Sequence, residues 1–249
     1  MHQFPVSIVV FDAVGTLIYP DPGVASAYTI VGRRYGSGLS EVEVARRFCQ
    51  VFGELEARDR AGDQRTSEET EYSRWREVVR RVLDDVTDLA DCFAELYDHF
   101  ARPDSWRLFP EVRDVLAALR SAGLQLAIAS NFDCRLLKIA GGLEPLAFCR
   151  PILCSSQIGY RKPHPEFFRA VARALVADPG KILYVGDDPH NDVVGAESLG
   201  FQTMLVNRNG PAGTGEARSL EAVATRVAGR RPGGGCVPWN PVDPFTGLL

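Results

Sequence analysis

The stretch Val6-Ser-Ile-Val-Val-Phe-Asp-Ala-Val-Gly-Thr-Leu17 decides the fold. Its first half, Val6 to Phe11, is a short apolar, β-branched run of the kind buried on both faces of a parallel sheet. Its second half puts a carboxylate, Asp12, just past that strand, at the edge where open α/β sheets bind ligands. Similar runs recur at residues 124–129, 151–154, 181–185 and 201–206, with helical patterns between most of them. Strands alternating with helices predict an α/β fold, a Rossmann-like parallel sheet. The helix before the second of these strands has Pro110 in its first turn, a stripe of Val112, Val115, Leu116 and Leu119, and Gly123 as its stop. Gly200 ends the helix after Asp192 in the same way.

Between the first strand and Pro110 the pattern changes. There is no convincing strand, and at least three amphipathic helices read as an inserted helical module. Ser40 and Glu43 fit a capping box, followed by Val44, Phe48, Val51, Phe52 and Leu55 along one face. Trp75, Val78, Val79, Val82 and Leu83 form a second stripe, and Leu89, Phe93, Leu96, Tyr97 and Phe100 a third. At the other end, a helix over residues 219–227 precedes a Gly/Pro-rich tail from Gly229, expected to be poorly ordered.

The chain has 249 residues, 45% of them hydrophobic and 24% charged, which excludes a disordered or fibrous protein. Its net charge of −4 provides no global basic field for nucleic acid. No apolar run approaches the ~20 residues that span a bilayer, and the N-terminus lacks a signal-peptide layout, so the expectation is a cytoplasmic protein with no membrane partner. The six cysteines include no C-x-x-C pair and read as reduced thiols. Among 28 basic residues only Lys138, Lys162 and Lys181 are lysines.

Four predicted strand ends carry chemistry. The first ends in Asp12-Ala-Val-Gly-Thr16, the second in Ser130-Asn131, the third leads to Tyr160-Arg-Lys-Pro163, and the fourth ends in Gly186-Asp-Asp-Pro-His-Asn-Asp192. In this order the set resembles the four motifs of the haloacid dehalogenase superfamily, over roughly residues 6 to 207. The resemblance implies a core domain over 1–18 and 106–228, a helical cap over 19–105, and a tail over 229–249. Only about 25 residues separate Asn131 from Ser156, too few for the second cap type of other members.

Most members are Mg²⁺-dependent phosphatases, and the resemblance carries their roles onto this chain. Asp12 is implied as the nucleophile that forms an aspartyl-phosphate. Asp12, Asp187 and the carbonyl of Val14 are implied to hold Mg²⁺, a hard cation that prefers few carboxylates and several waters. Thr16, Ser130, Asn131 and Lys162 are implied to bind the phosphoryl group of a small phosphorylated substrate, with Lys162 neutralising its charge and holding the nucleophile. Asp188 and Asp192 are implied as supports; taken singly, each also fits a helix N-cap.

One position departs from the pattern. Phosphatases of the family carry a second Asp two residues after the nucleophile, as general acid and base, where this chain has Val14. Losing such a group costs ~10²–10⁴ in rate, about 3–5 kcal/mol of barrier. Acyl or aryl phosphates, whose leaving groups need no proton, stay within reach. His190, Asp188, Glu54 and Glu56 are candidate replacements. Dehalogenases of the superfamily also lack the second Asp, but they use no metal, and the crowd of Asp187, Asp188 and Asp192 calls for a cation. A Schiff-base branch needs a cap lysine, and none precedes Lys138. A phosphohydrolase is therefore favoured, and a pseudoenzyme that binds phosphate and metal is the alternative. Which of Arg33, Arg34, Tyr35, Arg58, Arg60, Arg65 and Trp75 face the site is not legible from helical period, nor is the oligomeric state.

Overall fold

A computed structural model describes residues 6–208 and 217–228, so the expected tail, with Cys236 and Trp239, lies outside the described residues. The chain begins with β1 (Ile8–Phe11), turns, and forms β2 (Ile18–Pro20). Four helices follow, α1 (Val24–Arg34), α2 (Glu41–Ala61), α3 (Glu68–Val82) and α4 (Leu89–His99), and β3 (Trp106–Leu108) returns beside β2. Next come α5 (Val112–Ser121), β4 (Gln125–Ser130), α6 (Arg135–Gly142), β5 (Ile152–Cys154) and the short α7 (Ser155–Ile158). The chain continues through α8 (Pro165–Leu175), β6 (Ile182–Gly186), a π turn (Pro189–Val194), α9 (Gly195–Glu197), β7 (Gln202–Leu205) and α10 (Glu221–Ala228).

The main sheet is parallel, in the order β5-β4-β1-β6-β7. It is the α/β fold that the sequence predicts. Connections leave β1 towards both flanks, so the crevice past its C-terminal end is the ligand position of such sheets. Period two divides the core. Val9, Phe11, Leu126, Ile128, Leu183 and Val185 pack with residues of α5, α6 and α10. Ile8, Val10, Ala127, Ala129, Ile182 and Tyr184 pack on the other face with Phe167, Phe168 and Val171 of α8.

The helices α1–α4 share their own apolar cluster, which contains the predicted stripes. Ser40, Ser67 and Asp88 accept the amides of Glu43, Thr70 and Asp91 to cap α2, α3 and α4. Only half of the expected capping box forms, because the Glu43 carboxylate pairs with Arg46 and Arg47 instead.

Two expectations are corrected. Strands do exist between β1 and Pro110: β2 and β3 pair antiparallel, Ile18 with Leu108 and Pro20 with Trp106, and bracket the helical excursion. Three-residue strands show no period of their own. The helix α1 went unpredicted because it has no side-chain cap and its apolar face is broken by Ser26, Thr29 and Gly32. The helix expected after Asp192 exists, but its first turn is π.

Cys149 and Cys154 are buried free thiols, both pushed up to about 12 by burial. Among the described residues no helix is long and apolar enough to cross a membrane.

Phe168 is fully buried and packs edge-on against Phe167, Tyr184 and Phe201. Phe168→Ala is expected to lower the unfolding free energy by ~3–5 kcal/mol, read by urea denaturation.

Candidate active site

The loop after β1 is shaped by backbone. Leu17 and Ile18 both donate to the Ala13 carbonyl, and Gly15 sits at φ +82°. A Cβ at Gly15 would stand 2.2 Å from Asp187 Oδ2, so only glycine lets the loop lie against that carboxylate. Arg208, after β7, ties the loop down. It donates to the carbonyls of Gly15 (3.2 Å) and Thr16 (2.7 Å), pairs with Glu111, and lies over the Phe109 ring.

At the sheet edge, Lys162 donates to Asp12 Oδ1 and to Asp192 Oδ1, each at 2.6 Å. All three side chains are buried. Burial by itself drives the Lys162 pKa down, but the charges of Asp12 and Asp192 prevail and hold it well above the ordinary lysine value. Asn131 brackets the same residue, accepting the Lys162 amide at 2.7 Å and donating to its carbonyl at 3.1 Å. Lys162 thus enters the site at a fixed depth.

Oxygens of Asp12, Asp187 and Asp192 lie within 4.8 Å of one another. The Asp187 carboxyl is pushed well above its usual range by burial and by Asp12 and Asp192, against a 3.0 Å hydrogen bond from Thr16. Asp192 is pushed up to about 6, mainly by burial, with Lys162 opposing. A Cβ on Gly186 would stand 2.1 Å from Asp192 Oδ2.

The predicted residues divide by placement. Asp12, Ser130, Asn131, Lys162, Asp187, Asp188 and Asp192 all border one cavity of about 200 Å³ between the sheet edge and the helices. Thr16 is fully buried, away from the cavity wall, and its hydroxyl serves Asp187. Val14 packs in the apolar cluster of the core. Asp188 accepts the amides of His190 and Asn191, the capping arrangement, whereas Asp192 turns to Lys162. The Ser130 hydroxyl has no hydrogen-bond partner among the described residues.

Of the candidate replacement acids, His190 is exposed and Glu54 pairs with Arg81 and Gln50. Glu56 borders the cavity but is held by Arg74 (2.7 Å) and Arg161 (2.9 Å). Of the seven module residues whose direction helical period leaves open, Arg60 and Trp75 border the cavity and the others do not.

Sequence reasoning missed a buried ionic cluster in the wall. Arg161 pairs with Glu71 and Glu56, and Arg74 with Glu56 and Asp59. Arg135 pairs bidentately with Asp133 and lies 3.9 Å over the Tyr97 ring. The only signal was position: Arg161 precedes Lys162. The connection between α2 and α3 also meets the core through backbone, Thr66 to Gly159 and Arg161 to Gln64.

Residues 6–200 match the family of haloacid dehalogenase-like hydrolases. The chain belongs to that family. It is 26% identical over 215 residues to haloacid dehalogenase-like hydrolase domain-containing protein 3 of Mus musculus, covering 84% of this chain and 85% of the relative. It is 32% identical over 134 residues to a phosphoserine phosphatase of Thermus thermophilus, about half of each chain (53%). A crystal structure of a magnesium-bound putative hydrolase, YfnB of Bacillus subtilis, superposes with TM-score 0.73 at 18% identity, over 90% of this chain and 100% of that one. Similar folds include both dehalogenases and phosphatases, and at such identities the likeness concerns the fold alone.

Burial pushes the Glu71 carboxyl up, but the Arg161 charge and hydrogen bonds from Thr66 and Arg161 outweigh this and leave it below the usual range. Its contribution to stability is therefore present above the unfolded carboxylate pKa of about 4.3 and lost as pH falls through the lower folded value. Arg161→Met is expected to cost ~3–5 kcal/mol at pH 7, with a smaller difference from wild type at pH 3, by urea denaturation at both.

Proposed function

We propose that this protein is a Mg²⁺-dependent phosphohydrolase that works through Asp12. The observation that carries the reading is the buried Asp12–Lys162–Asp192 arrangement, with Asp187 beside it and the unpartnered Ser130 hydroxyl facing the same cavity. Its hydrolase family and its likeness to a phosphoserine phosphatase support it.

The donor set fits the cation. Three carboxylates crowd together with one ammonium between them, and Asp187 has no cationic partner of its own among the described residues. Hard oxygen donors in this number suit Mg²⁺, which Asp12 and Asp187 would hold with the Val14 carbonyl. When bound, such a cation offsets the charge of the phosphoryl oxygens and draws them towards the nucleophile.

An Asp12 oxygen attacks phosphorus and forms an aspartyl-phosphate as the bond from phosphorus to the leaving oxygen breaks, the electron pair going with the leaving group. Water then adds to phosphorus, the bond to Asp12 breaks, inorganic phosphate leaves, and the carboxylate is regenerated with a proton released to solvent. Lys162 holds Asp12 aligned through its 2.6 Å hydrogen bond and stabilises the phosphoryl charge. Ser130, with the backbone at Asn131, donates to phosphoryl oxygens. The helices α1–α4 act as a cap, residues 19–105 of a chain whose core is 1–18 and 106–228.

The position of Val14 favours a second reading. Its side chain is buried in the apolar core, and none of the four candidate acids stands free in the cavity. A pseudoenzyme keeping the phosphate and metal site is that reading. Binding of BeF₃⁻ with Mg²⁺, without turnover of acetyl phosphate, would favour it.

Asp12→Asn is expected to abolish Mg²⁺-dependent hydrolysis of acetyl phosphate without unfolding the protein, as read by a retained cooperative urea transition; unchanged turnover would remove Asp12 as nucleophile.

A further inference from the structure

The cavity has a charged floor and a wall whose buried arginines are all paired with carboxylates. Lys162 at the floor is shared by Asp12 and Asp192. Higher up, each buried arginine is already neutralised: Arg74 by Glu56 and Asp59, Arg161 by Glu56 and Glu71, Arg135 by Asp133. Arg60, also on the cavity, is exposed and donates to the Glu56 carbonyl. A second carboxylate or phosphate held deep in the cavity would meet only arginines that are already paired, which is costly; Arg60, the wall arginine without a carboxylate partner among the described residues, is exposed.

The remaining wall is aromatic. Phe52 stacks on Trp75 with centroids 6.2 Å apart, and Tyr28, Phe100, Trp106 and Phe132 complete it. An apolar cavity of ~150 Å³ holds a benzene ring, and here about 200 Å³ is open. Tyr28 is buried, its hydroxyl has no hydrogen-bond partner among the described residues, and burial keeps the phenol un-ionised. It brings a hydrogen-bond donor to the wall but no positive charge.

Resting on the phosphohydrolase reading, we propose that the substrate is a phosphate monoester whose leaving group is neutral and aromatic, a phenol and not an alcohol carrying a second anion. The chemistry agrees with the wall. A phenol has a pKa near 10, so the phosphorus–oxygen bond breaks with phenolate taking the electron pair, and no acid is needed where Val14 stands. The phenolate takes its proton from solvent after release. The substrate class thereby departs from that of the phosphoserine phosphatase relative, whose named substrate carries a carboxylate and an amine.

The test is a panel with the whole protein and Mg²⁺: kcat/KM for acetyl phosphate, phenyl phosphate, cyclohexyl phosphate, phosphoserine and phosphoglycolate. Phenyl phosphate is expected to exceed each of the last three at least ~10-fold. Phe52→Ala is expected to lower kcat/KM for phenyl phosphate at least ~10-fold more than for acetyl phosphate. If acetyl phosphate is hydrolysed but phosphoserine, phosphoglycolate or cyclohexyl phosphate comes within ~10-fold of phenyl phosphate, the substrate class is overturned and the phosphohydrolase reading stands. If none is hydrolysed, acetyl phosphate included, the phosphohydrolase reading falls and the substrate class with it. The wild-type panel decides even if Phe52→Ala fails to fold.

Discussion

One ammonium between two buried carboxylates constrains the rest of this molecule. Lys162 reaches Asp12 at the end of β1 and Asp192 in the π turn after β6, so a single side chain couples the ends of neighbouring strands to the segment that follows β5 and α7. Without that positive charge, three carboxylates could not share so small a volume. Much nearby geometry serves the same contact. Gly15 and Gly186 have no side chain because carboxylate oxygens occupy that space. Asn131 grips the backbone of Lys162, and Arg208 holds the opposite loop.

A second set of buried charges joins the helices to the core. Arg161, the neighbour of Lys162 in sequence, faces away from the nucleophile and into Glu56 and Glu71 of α2 and α3. Consecutive residues therefore serve different tasks, one at the reacting edge and the other at the contact with α1–α4. A buried pair of this kind adds little net stability over an apolar replacement, but breaking one partner is costly. It fixes the relative placement of parts whose backbones also meet at Thr66–Gly159 and Gln64–Arg161. The same pairing neutralises the buried arginines Arg74 and Arg161 of the cavity wall, which also carries aromatic rings.

The sheet was legible because buried parallel strands are continuous apolar runs, and those runs lie within a residue or two of β1, β4, β5, β6 and β7. The stripes of α2, α3 and α4 were legible from period and capping residues. The pair β2–β3 was not, since three residues are too few for a period and only the partner strand makes them a strand. Within the site, the residues at strand ends stood out by position, whereas Arg74, Arg135 and Glu71 looked like ordinary polar residues of amphipathic helices. Helical period distinguishes an apolar face from a polar one; it does not say which polar residue is covered by another element.

By itself, the sequence determined the α/β class, the order of the motifs, the absence of a carboxylate at Val14 and the scarcity of lysine that leaves Lys162 alone at the sheet edge. These are local properties, set by residue type and spacing along one chain. Tertiary structure decided which carboxylate caps a turn and which meets the lysine, separating Asp188 from Asp192 four residues on. It also decided that the buried arginines of the wall are paired and its rings border the cavity. Charge pairing across elements depends on distances that no single element contains, so it becomes readable only once the helices stand over the sheet.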